Sequence, residues 1–347
     1  MIPVSRRPML SLMPGAPNIL PGFLHGDVRP PVHDGVVALS ETDRALVQAL
    51  PADGRSPFAA IARELSLPEK TVRRRVQELI DSRVIRITTV ADPAVLGLTV
   101  GALVGIQADG RRSIRALVAS LAELECVDYA VITTGRYDAL VEVLCRDSAE
   151  LLAVIDESFL QAPGVHRAEV FPYLRLHYQE PAWDATRSKR DAAPAQSRQL
   201  LDAVDRQIVG ELNADGRLPF AAVGKSLDMS ESQVRKRVTR LVDNGIIRIT
   251  ALADPRSLGF SVQAWVAIST RPGHSVSELA GALTRLPSVA YVVATAGRFD
   301  LFAEIVCRDT DELMRLVDLE IRTLAGVSQT EVQLCLDLYY RPVQPTA

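Results

Sequence analysis

Two arginine-rich segments at matching positions are the residues best suited to chemistry, and the chemistry they suit is nucleic-acid binding. Residues 69–86 contain six basic and three acidic side chains, and residues 231–248 contain five and two. Each segment therefore has a local charge of +3 in a chain whose net charge is −3. A helix in the major groove needs cations for phosphates and Arg, Gln or Thr side chains for base edges. A merely solvated basic face is the alternative, which is weakened because the pattern occurs twice.

The apolar spacing predicts that each basic segment is the third helix of a helix-turn-helix domain. Val72, Val76 and Leu79 recur at helical spacing, and their counterparts follow the same rule in the second segment. The candidate DNA contacts are Lys70, Thr71, Arg73, Arg74, Arg75, Ser232, Gln233, Arg235, Lys236, Arg237 and Arg240. Arg75 and Arg237 each precede a buried valine, so a structural ion pair with an acid of the same domain is an equal alternative for both.

An internal repeat organises the whole chain. Residues 39–178 align without a gap with residues 201–340, an offset of 162 positions, and roughly two in five aligned residues are identical. A repeat of this length is a whole pair of domains rather than one unit of a solenoid, so the chain resembles a fused dimer. The predicted domains are a flexible tail at 1–38, helix-turn-helix domains at 39–92 and 201–254, sensing domains at 93–178 and 255–341, a linker at 179–200 and a C-terminal tail at 342–347.

The second part of each copy predicts a small α+β domain. In the first copy, strands are expected at 98–106, 127–133, 139–146 and 165–178, with helices at 113–123 and 148–161. This βαββαβ order is typical of a ferredoxin-like fold, with both helices on one face of the sheet. The strand beginning at 139 is apolar on both sides, so the open face should pack on a second sheet, which the other copy can supply. The predicted fold class is therefore α+β, as two tandem copies of a winged helix-turn-helix domain followed by a ferredoxin-like domain.

A short polar loop between the two middle strands is the candidate small-molecule site of each sensing domain. Its residues are Thr134, Gly135, Arg136, Tyr137 and Asp138 in the first copy and Gly297, Arg298, Phe299 and Asp300 in the second. Glycine suits a turn with positive φ, and the aspartate could close that turn with its own backbone, so a purely structural role is the alternative. Thr134 and Tyr137 become Ala296 and Phe299, which makes the first copy the better candidate for a polar ligand.

Two glutamates within apolar strands, and the remaining reactive residues, indicate structural roles rather than catalysis. Glu142 and Glu304 interrupt an apolar strand, and pairing with a nearby arginine is expected, with ligand recognition as the alternative. The histidines have no ligand spacing, and the four cysteines form no CxxC motif. We therefore expect no metal, no cofactor, no catalytic residues and reduced thiols.

The prolines at 14, 17 and 21 and the lack of a long apolar run predict a cytoplasmic protein without a membrane segment.

The motifs together resemble those of the Lrp/AsnC, or feast/famine, family of regulators across nearly all of both copies. They are Asp43-Arg44, Asp53-Gly54-Arg55, the arginine run 73–75, Ile85-Arg86, the Asp-Pro-x-x-Leu-Gly run at 92–97 and the Gly-x-Tyr-Asp turn at 135–138, each with an equivalent in the second copy. The resemblance implies a transcriptional regulator that binds double-stranded DNA, forms homo-oligomers through its sensing domains and binds an amino acid or related metabolite near the Gly-x-Tyr-Asp turn. Most members carry one copy, so the tandem chain departs from the pattern.

Two other functions remain open from the sequence. The tandem architecture is also similar to siroheme decarboxylases, which would make the chain an enzyme that acts on a tetrapyrrole. The basic helix faces, and Ala91-Asp92-Pro93 in place of that family's basic residues and histidine, disfavour this alternative. A sensing or scaffold protein that has lost DNA binding is the third possibility.

Overall fold

The computed structural model describes residues 39–50, 54–82, 84–91, 93–179, 201–253 and 255–340. The predicted N-terminal and C-terminal tails, and the linker after Gln179, lie outside the described residues. So do Asp53, Asp92 and Asp254 of the motifs. Within the described residues the chain contains helical domains and a β-barrel, and each copy contributes half of both.

Three helices form each helix-turn-helix domain, as the spacing predicts. They are α1 (Glu41–Ala49), α2 (Phe58–Glu64) and α3 (Glu69–Asp81) in the first copy, and α6 (Ala203–Ala214), α7 (Phe220–Ser226) and α8 (Glu231–Asp243) in the second. Ser40 caps α1 through a capping box with Asp43. Ser66 and Asp228 adopt a left-handed backbone (φ 53° at both), which makes the sharp turn before each third helix.

The strand after each third helix pairs with the other copy rather than within its own domain. Strands β1 (Ile85–Ala91) and β6 (Ile247–Ala253) are antiparallel, with Thr88 opposite Thr250 at the centre. The apolar residues of both helix-turn-helix domains form one continuous core around this ribbon. The two helix-turn-helix domains are therefore one folded body.

The sensing domains form a closed eight-stranded barrel in the order β10-β3-β4-β2-β5-β8-β9-β7. The strands of the first copy are β2 (Val100–Ala108), β3 (Val127–Thr133), β4 (Ala139–Cys145) and β5 (Val165–Gln179); those of the second are β7 (Val262–Thr270), β8 (Val289–Thr295), β9 (Leu301–Cys307) and β10 (Val327–Tyr340). The helices outside the barrel are α4 (Ile114–Leu121), α5 (Ser148–Ala153), α9 (Val276–Leu283) and α10 (Thr310–Arg315). A π-helical segment continues α5 as Val154–Phe159 and α10 as Leu316–Ile321.

The two longest strands join the copies. The first half of β5 pairs with β2 of its own copy, and residues from Tyr173 onwards pair with β8 of the other. Strand β10 divides in the same way between β7 and β3. The predicted packing of one open sheet face on the other is confirmed, because residues of both copies, including Phe171, Trp265 and Phe302, form one aromatic core inside the barrel.

The close approach of Gly54 to the β1–β6 ribbon yields a stability prediction. An added Cβ at Gly54 would lie 2.9 Å from Ile87 Cγ2 and 3.1 Å from the Thr250 backbone. We expect Gly54→Ala to lower the free energy of unfolding by about 1–3 kcal/mol through overpacking. Gly210→Ala is the control, since Gly210 lies within α6 and meets nothing within 4 Å, and should stabilise by about 0.5–1 kcal/mol. Chemical denaturation measures both, and an equal effect of the two changes would contradict the packing argument.

Candidate functional site

The basic faces of α3 and α8 form the candidate nucleic-acid interface. Val72, Val76 and Leu79 are buried in α3, and Val234, Val238 and Leu241 are buried in α8. Most of the predicted contacts on the other faces are exposed, namely Lys70, Arg73, Arg74, Ser232, Gln233, Arg235, Lys236 and Arg240, whereas Thr71 is half-buried. The structure thus presents one group of exposed cations from each copy.

The exposed arginines make contacts that a phosphate can replace. Arg73 pairs with Glu69 at 3.0 Å, and its equivalent Arg235 pairs with Glu231 at 2.5 Å, one helical turn away in both helices. Arg74 pairs with Glu78 at 2.6 Å. Exposed pairs of this kind contribute only about 0.2–1 kcal/mol, so they cost little to break when DNA binds.

The contacts of Arg75 and Arg237 favour the structural alternative left open by the sequence. Arg75 donates to the buried carboxylate of Asp43 at 2.6 Å, and Arg237 donates to the buried carboxylate of Asp205 at 2.7 Å. Arg240 also donates to Asp205, at 2.5 Å. These bonds tie the third helix to the first helix of the same domain, because the charge of a buried aspartate needs a partner.

Gln233 has a structural contact as well. Its side-chain oxygen accepts the Ser230 backbone N–H at 2.8 Å and completes the capping box of α8. In α3 the cap position is Pro68, which makes no side-chain cap. The two helices therefore begin differently, although both expose an arginine one turn later.

A stack of arginines and phenylalanines links each third helix to the other copy. The guanidinium of Arg217 lies 4.1 Å from the ring centre of Phe58, and that of Arg73 lies 5.0 Å from the same ring. In the equivalent stack, Arg55 of the first copy and Arg235 of the second lie 4.1 Å and 5.3 Å from the Phe220 ring. The Asp-Gly-Arg motif thus positions the DNA-reading units against each other by cation–π contact.

The same motif makes reciprocal backbone bonds across the copies. The Gly54 N–H donates to Ile249 O and the Gly216 N–H donates to Ile87 O, each at 2.9 Å. Arg55 donates to Gly216 O at 2.7 Å, and Arg217 donates to Ser56 O at 2.9 Å. These bonds restrict the angle between α3 and α8.

The predicted small-molecule loops lie where the copies meet in the barrel. Gly135 and Gly297 have φ of 95° and 132°, the region that glycine favours. Both glycines and the arginines that follow them are exposed, whereas the Tyr137 and Phe299 rings are buried in the aromatic core. Only part of each loop can therefore meet a ligand from solvent.

The side chains of the two loop aspartates accept hydrogen bonds that differ from the predicted ones. Asp138 Oδ2 accepts the Ala108 N–H at 2.8 Å, and Asp300 Oδ2 accepts the Thr270 N–H at 2.7 Å. The expected turn closure with the aspartate's own backbone is thus replaced by a bond to the end of the neighbouring strand.

The loop arginines pair with glutamates of the opposite copy. Arg136 makes two bonds to Glu331, at 2.7 and 2.9 Å, and Arg298 bonds Glu169 at 3.2 Å. The Tyr137 hydroxyl also donates to Glu169, at 2.9 Å. Phe299 has no hydroxyl for Glu331, so the pseudo-symmetric loops differ in their polar contacts.

The expectation that Glu142 and Glu304 pair with arginines is wrong. Glu142 Oε1 accepts the hydroxyls of Tyr173 and Tyr291, each at 2.6 Å. Glu304 Oε1 accepts the Tyr129 hydroxyl at 3.0 Å and the Gln263 amide at 2.5 Å. Burial disfavours the charged form and raises the pKa of Glu142, and it raises that of Glu304 to about 7. Sequence spacing did not predict these tyrosines, because each glutamate accepts a hydrogen bond from a tyrosine of the other copy. The presence of a tyrosine at the same position in both copies, Tyr129 and Tyr291, could have indicated them.

Other chemistry is sparse in the described ranges. Among these residues no group of His, Cys, Asp or Glu side chains is arranged to hold a metal ion, and no helix has the length and apolar character needed to cross a membrane. None of the four cysteines forms a disulfide; Cys145 and Cys307 are buried, whereas Cys126 and Cys335 are half-buried.

Comparison with known proteins matches both halves of both copies. The family model of the AsnC-type helix-turn-helix domain matches residues 39–80 and 201–242, and that of the Lrp/AsnC ligand binding domain matches 101–183 and 263–344. The HTH-type transcriptional regulator FL11 of Pyrococcus furiosus is 29% identical over 41% of this chain and 93% of its own length. An uncharacterised HTH-type transcriptional regulator of Pyrococcus abyssi is 33% identical over 40% of this chain and 89% of its own length.

Two solved structures are similar to this chain over most of its length. Crystal structures of the siroheme decarboxylase NirDL, alone and with an iron-uroporphyrin III analogue, cover 86% and 88% of this chain and 92% and 95% of their own. Their TM-scores are 0.60 and 0.61 at 16% and 17% identity. This likeness concerns the fold alone.

The raised pKa of Glu304 predicts a pH-dependent stability. The folded protein holds this proton up to about pH 7, whereas an unfolded chain releases it near the ordinary value of 4.5. The stability that the protonated Glu304 carboxyl contributes to the folded state is therefore complete below about pH 4.5, and it is lost as the pH rises to about 7. We expect Glu304→Gln to remove part of the wild-type fall in the free energy of unfolding across this window. Denaturation at several pH values tests this, with exposed Glu157→Gln as the control; an unchanged slope in Glu304→Gln would contradict it.

Proposed function

Because the chain belongs to the Lrp/AsnC family, we propose that it is a sequence-specific DNA-binding transcriptional regulator that responds to an amino acid or related small metabolite. The observation that carries this proposal is the pair of exposed basic helix faces, α3 and α8, which the β1–β6 ribbon joins in one chain. The names of the relatives from Pyrococcus support the same function. The protein would act in the cytoplasm and form homo-oligomers through its sensing domains.

The DNA contacts divide by chemistry. Arg73, Arg74, Arg235 and Lys236 supply exposed cations for phosphates and guanine edges, and Lys70, Thr71, Ser232 and Gln233 lie at the starts of the two helices. Arg75, Arg237 and Arg240 would act through Asp43 and Asp205 by positioning the helices. A substitution of these three would weaken binding through the fold of the domain.

The duplication makes the two reading units unequal. Lys70 and Thr71 in α3 correspond to Ser232 and Gln233 in α8, and Glu78 corresponds to Arg240. Different side chains at the start of a recognition helix favour different bases, so the preferred operator would contain two unequal half-sites about one helical turn apart. A footprint with two identical half-sites would contradict this part of the proposal.

We place the metabolite at the exposed parts of the Gly-x-aromatic-Asp loops. The Arg136–Glu331 and Arg298–Glu169 pairs lie across the boundary between the copies, so a ligand carboxylate that competes for either arginine would change the contact between them. Thr134 and the Tyr137 hydroxyl bond Leu334 N and Glu169, so the first loop has more polar groups to rearrange than the second. Asp138 and Asp300 would hold the loop ends during this exchange.

An enzymatic role like that of the decarboxylase is the less favoured proposal. The cavity between the barrel and the turn at 93–98 is lined by the carboxyl groups of Asp128 and Glu142. At about 250 Å³ this cavity is smaller than the pockets that hold drug-sized ligands, so it does not fit a tetrapyrrole. Purified protein with a porphyrin absorbance band would favour the enzyme instead.

The DNA proposal predicts matched losses from the two copies. Arg73→Ala and Arg235→Ala should each weaken operator binding and lower the slope of log K against log salt by about one. Arg111→Ala removes one charge from a side chain that is 90% exposed on the barrel and should leave binding unchanged. Gel shifts at several salt concentrations provide the measurement. Unchanged affinity in both helix variants would overturn the assignment of α3 and α8.

The loop proposal predicts a separate loss of metabolite response. Arg136→Ala should keep the affinity for DNA within about twofold and reduce the change caused by a mixture of the standard amino acids. The loss of the partly exposed pair with Glu331 costs only about 0.2–1 kcal/mol of stability. Arg298→Ala should have the smaller effect on the response. A full response in both variants, measured by the same gel shift, would remove the loops from the proposal.

A further inference from the structure

A cavity of about 250 Å³ lies in the first copy where the turn after β1 meets the end of the barrel. Its walls include Asp128, Glu142, Tyr173, Tyr291 and Leu144, and also Arg175, which is exposed to solvent. The volume is below the roughly 300–1,000 Å³ of pockets for drug-sized ligands, so any occupant is small. The cavity is distinct from the Gly-x-aromatic-Asp loops, none of whose residues line it.

The polar wall of this cavity is rich in hydrogen-bond acceptors. Glu142 Oε1 already accepts two tyrosine hydroxyls. Among the described atoms, Asp128 Oδ1 is buried and has no hydrogen-bond partner. Burial, with the charge of Glu142 and a hydrogen bond to it, raises the pKa of Asp128 well above its usual value. Burial raises the pKa of Glu142 as well, so a cationic donor beside the two carboxyls would favour their charged forms.

The second copy shows what completes such a cluster. Gln263 stands at the position of Gly101, and its amide donates to Glu304 at 2.5 Å. Ala290 stands in place of Asp128, and Cys335 in place of Tyr173. A Cβ at Gly101 would lie 2.7 Å from the Tyr173 ring, so the first copy cannot place a side chain there without moving this tyrosine. In the first copy the Tyr173 hydroxyl takes the place of the Gln263 amide, and Asp128 adds a second carboxyl to the cluster.

We propose that this cavity binds a small aliphatic primary amine, whose ammonium group donates to the unpartnered Asp128 Oδ1 beside Glu142. An ammonium supplies the donor that this oxygen lacks and a positive charge beside the two carboxyls. The alkyl part of the ligand lies against apolar side chains of the same wall, such as Leu98 and Leu144. The site is thus a product of the divergence between the copies.

The binding of n-pentylamine to the full chain tests this site, with pentanol and pentanoate as probes of the same length. Calorimetry should detect the amine at a concentration where neither other probe binds. Equal binding of pentanol would show a merely apolar cavity and overturn the proposal. Failure of pentylamine to bind at millimolar concentration would overturn it too, and would mean that only water occupies the cavity.

Two matched glutamate variants locate the binding. Glu142→Gln should weaken pentylamine binding by about tenfold or more, because it removes the charge that faces the ammonium. Glu304→Gln removes the equivalent buried carboxyl from the filled site of the second copy and should keep binding within about twofold. Thermal unfolding of both variants confirms that they fold. Equal loss in the two variants would contradict a site in the first copy.

If Glu142→Gln fails to fold, a variant that carries the second copy's residues in the first copy tests the proposal instead. The combined changes Gly101→Gln, Asp128→Ala and Tyr173→Cys reproduce a set of side chains that already packs in this protein. They remove the Asp128 carboxyl and place an amide beside Glu142, and should abolish pentylamine binding. Retained binding would overturn the proposal. Because DNA affinity and the loop response are measured separately, failure here leaves the proposed regulator function intact.

Discussion

The backbone hydrogen bonds that join the two copies fix the position of everything else in the molecule. The β1–β6 ribbon unites the helix-turn-helix domains, and β5 and β10 each pair with both copies and close the barrel. Without this pairing each copy would expose an aromatic sheet face and the edge of a strand, and both favour aggregation. In a single-copy protein a second chain must supply these partners, whereas here the covalent repeat does so at a fixed ratio.

Covalent linkage also allows the two halves to diverge. In a symmetric dimer every substitution occurs on both sides of the interface, so a change that suits one side must be tolerated on the other. The tandem chain can keep the Tyr137–Glu169 bond on one side and replace the tyrosine by Phe299 on the other. The same freedom separates the open acidic cavity beside Glu142 from the filled cluster around Glu304.

Local sequence patterns predicted the elements well and their partners poorly. The 3.6-residue spacing of Val72, Val76 and Leu79 identified α3, and alternating apolar runs identified the strands of βαββαβ, because both signals are local. The pairing of β1 with β6, and the division of β5 between the copies, connect segments more than a hundred residues apart. The predicted arginine partners of the buried glutamates were wrong for the same reason. A charge in an apolar strand requires a donor, but the sequence does not say which distant side chain supplies it.

Buried aromatic groups connect Glu142 and Glu304 across the barrel. The Trp265 indole donates to the Tyr129 hydroxyl at 2.9 Å, and that hydroxyl donates to Glu304. The Trp265 ring also lies edge-on to Tyr291, which donates to Glu142. Burial is the main cause of the raised pKa of Glu304, and the charge of Glu142 adds to it. The two buried carboxyls thus belong to one aromatic cluster, and each depends on a tyrosine donor of the other copy.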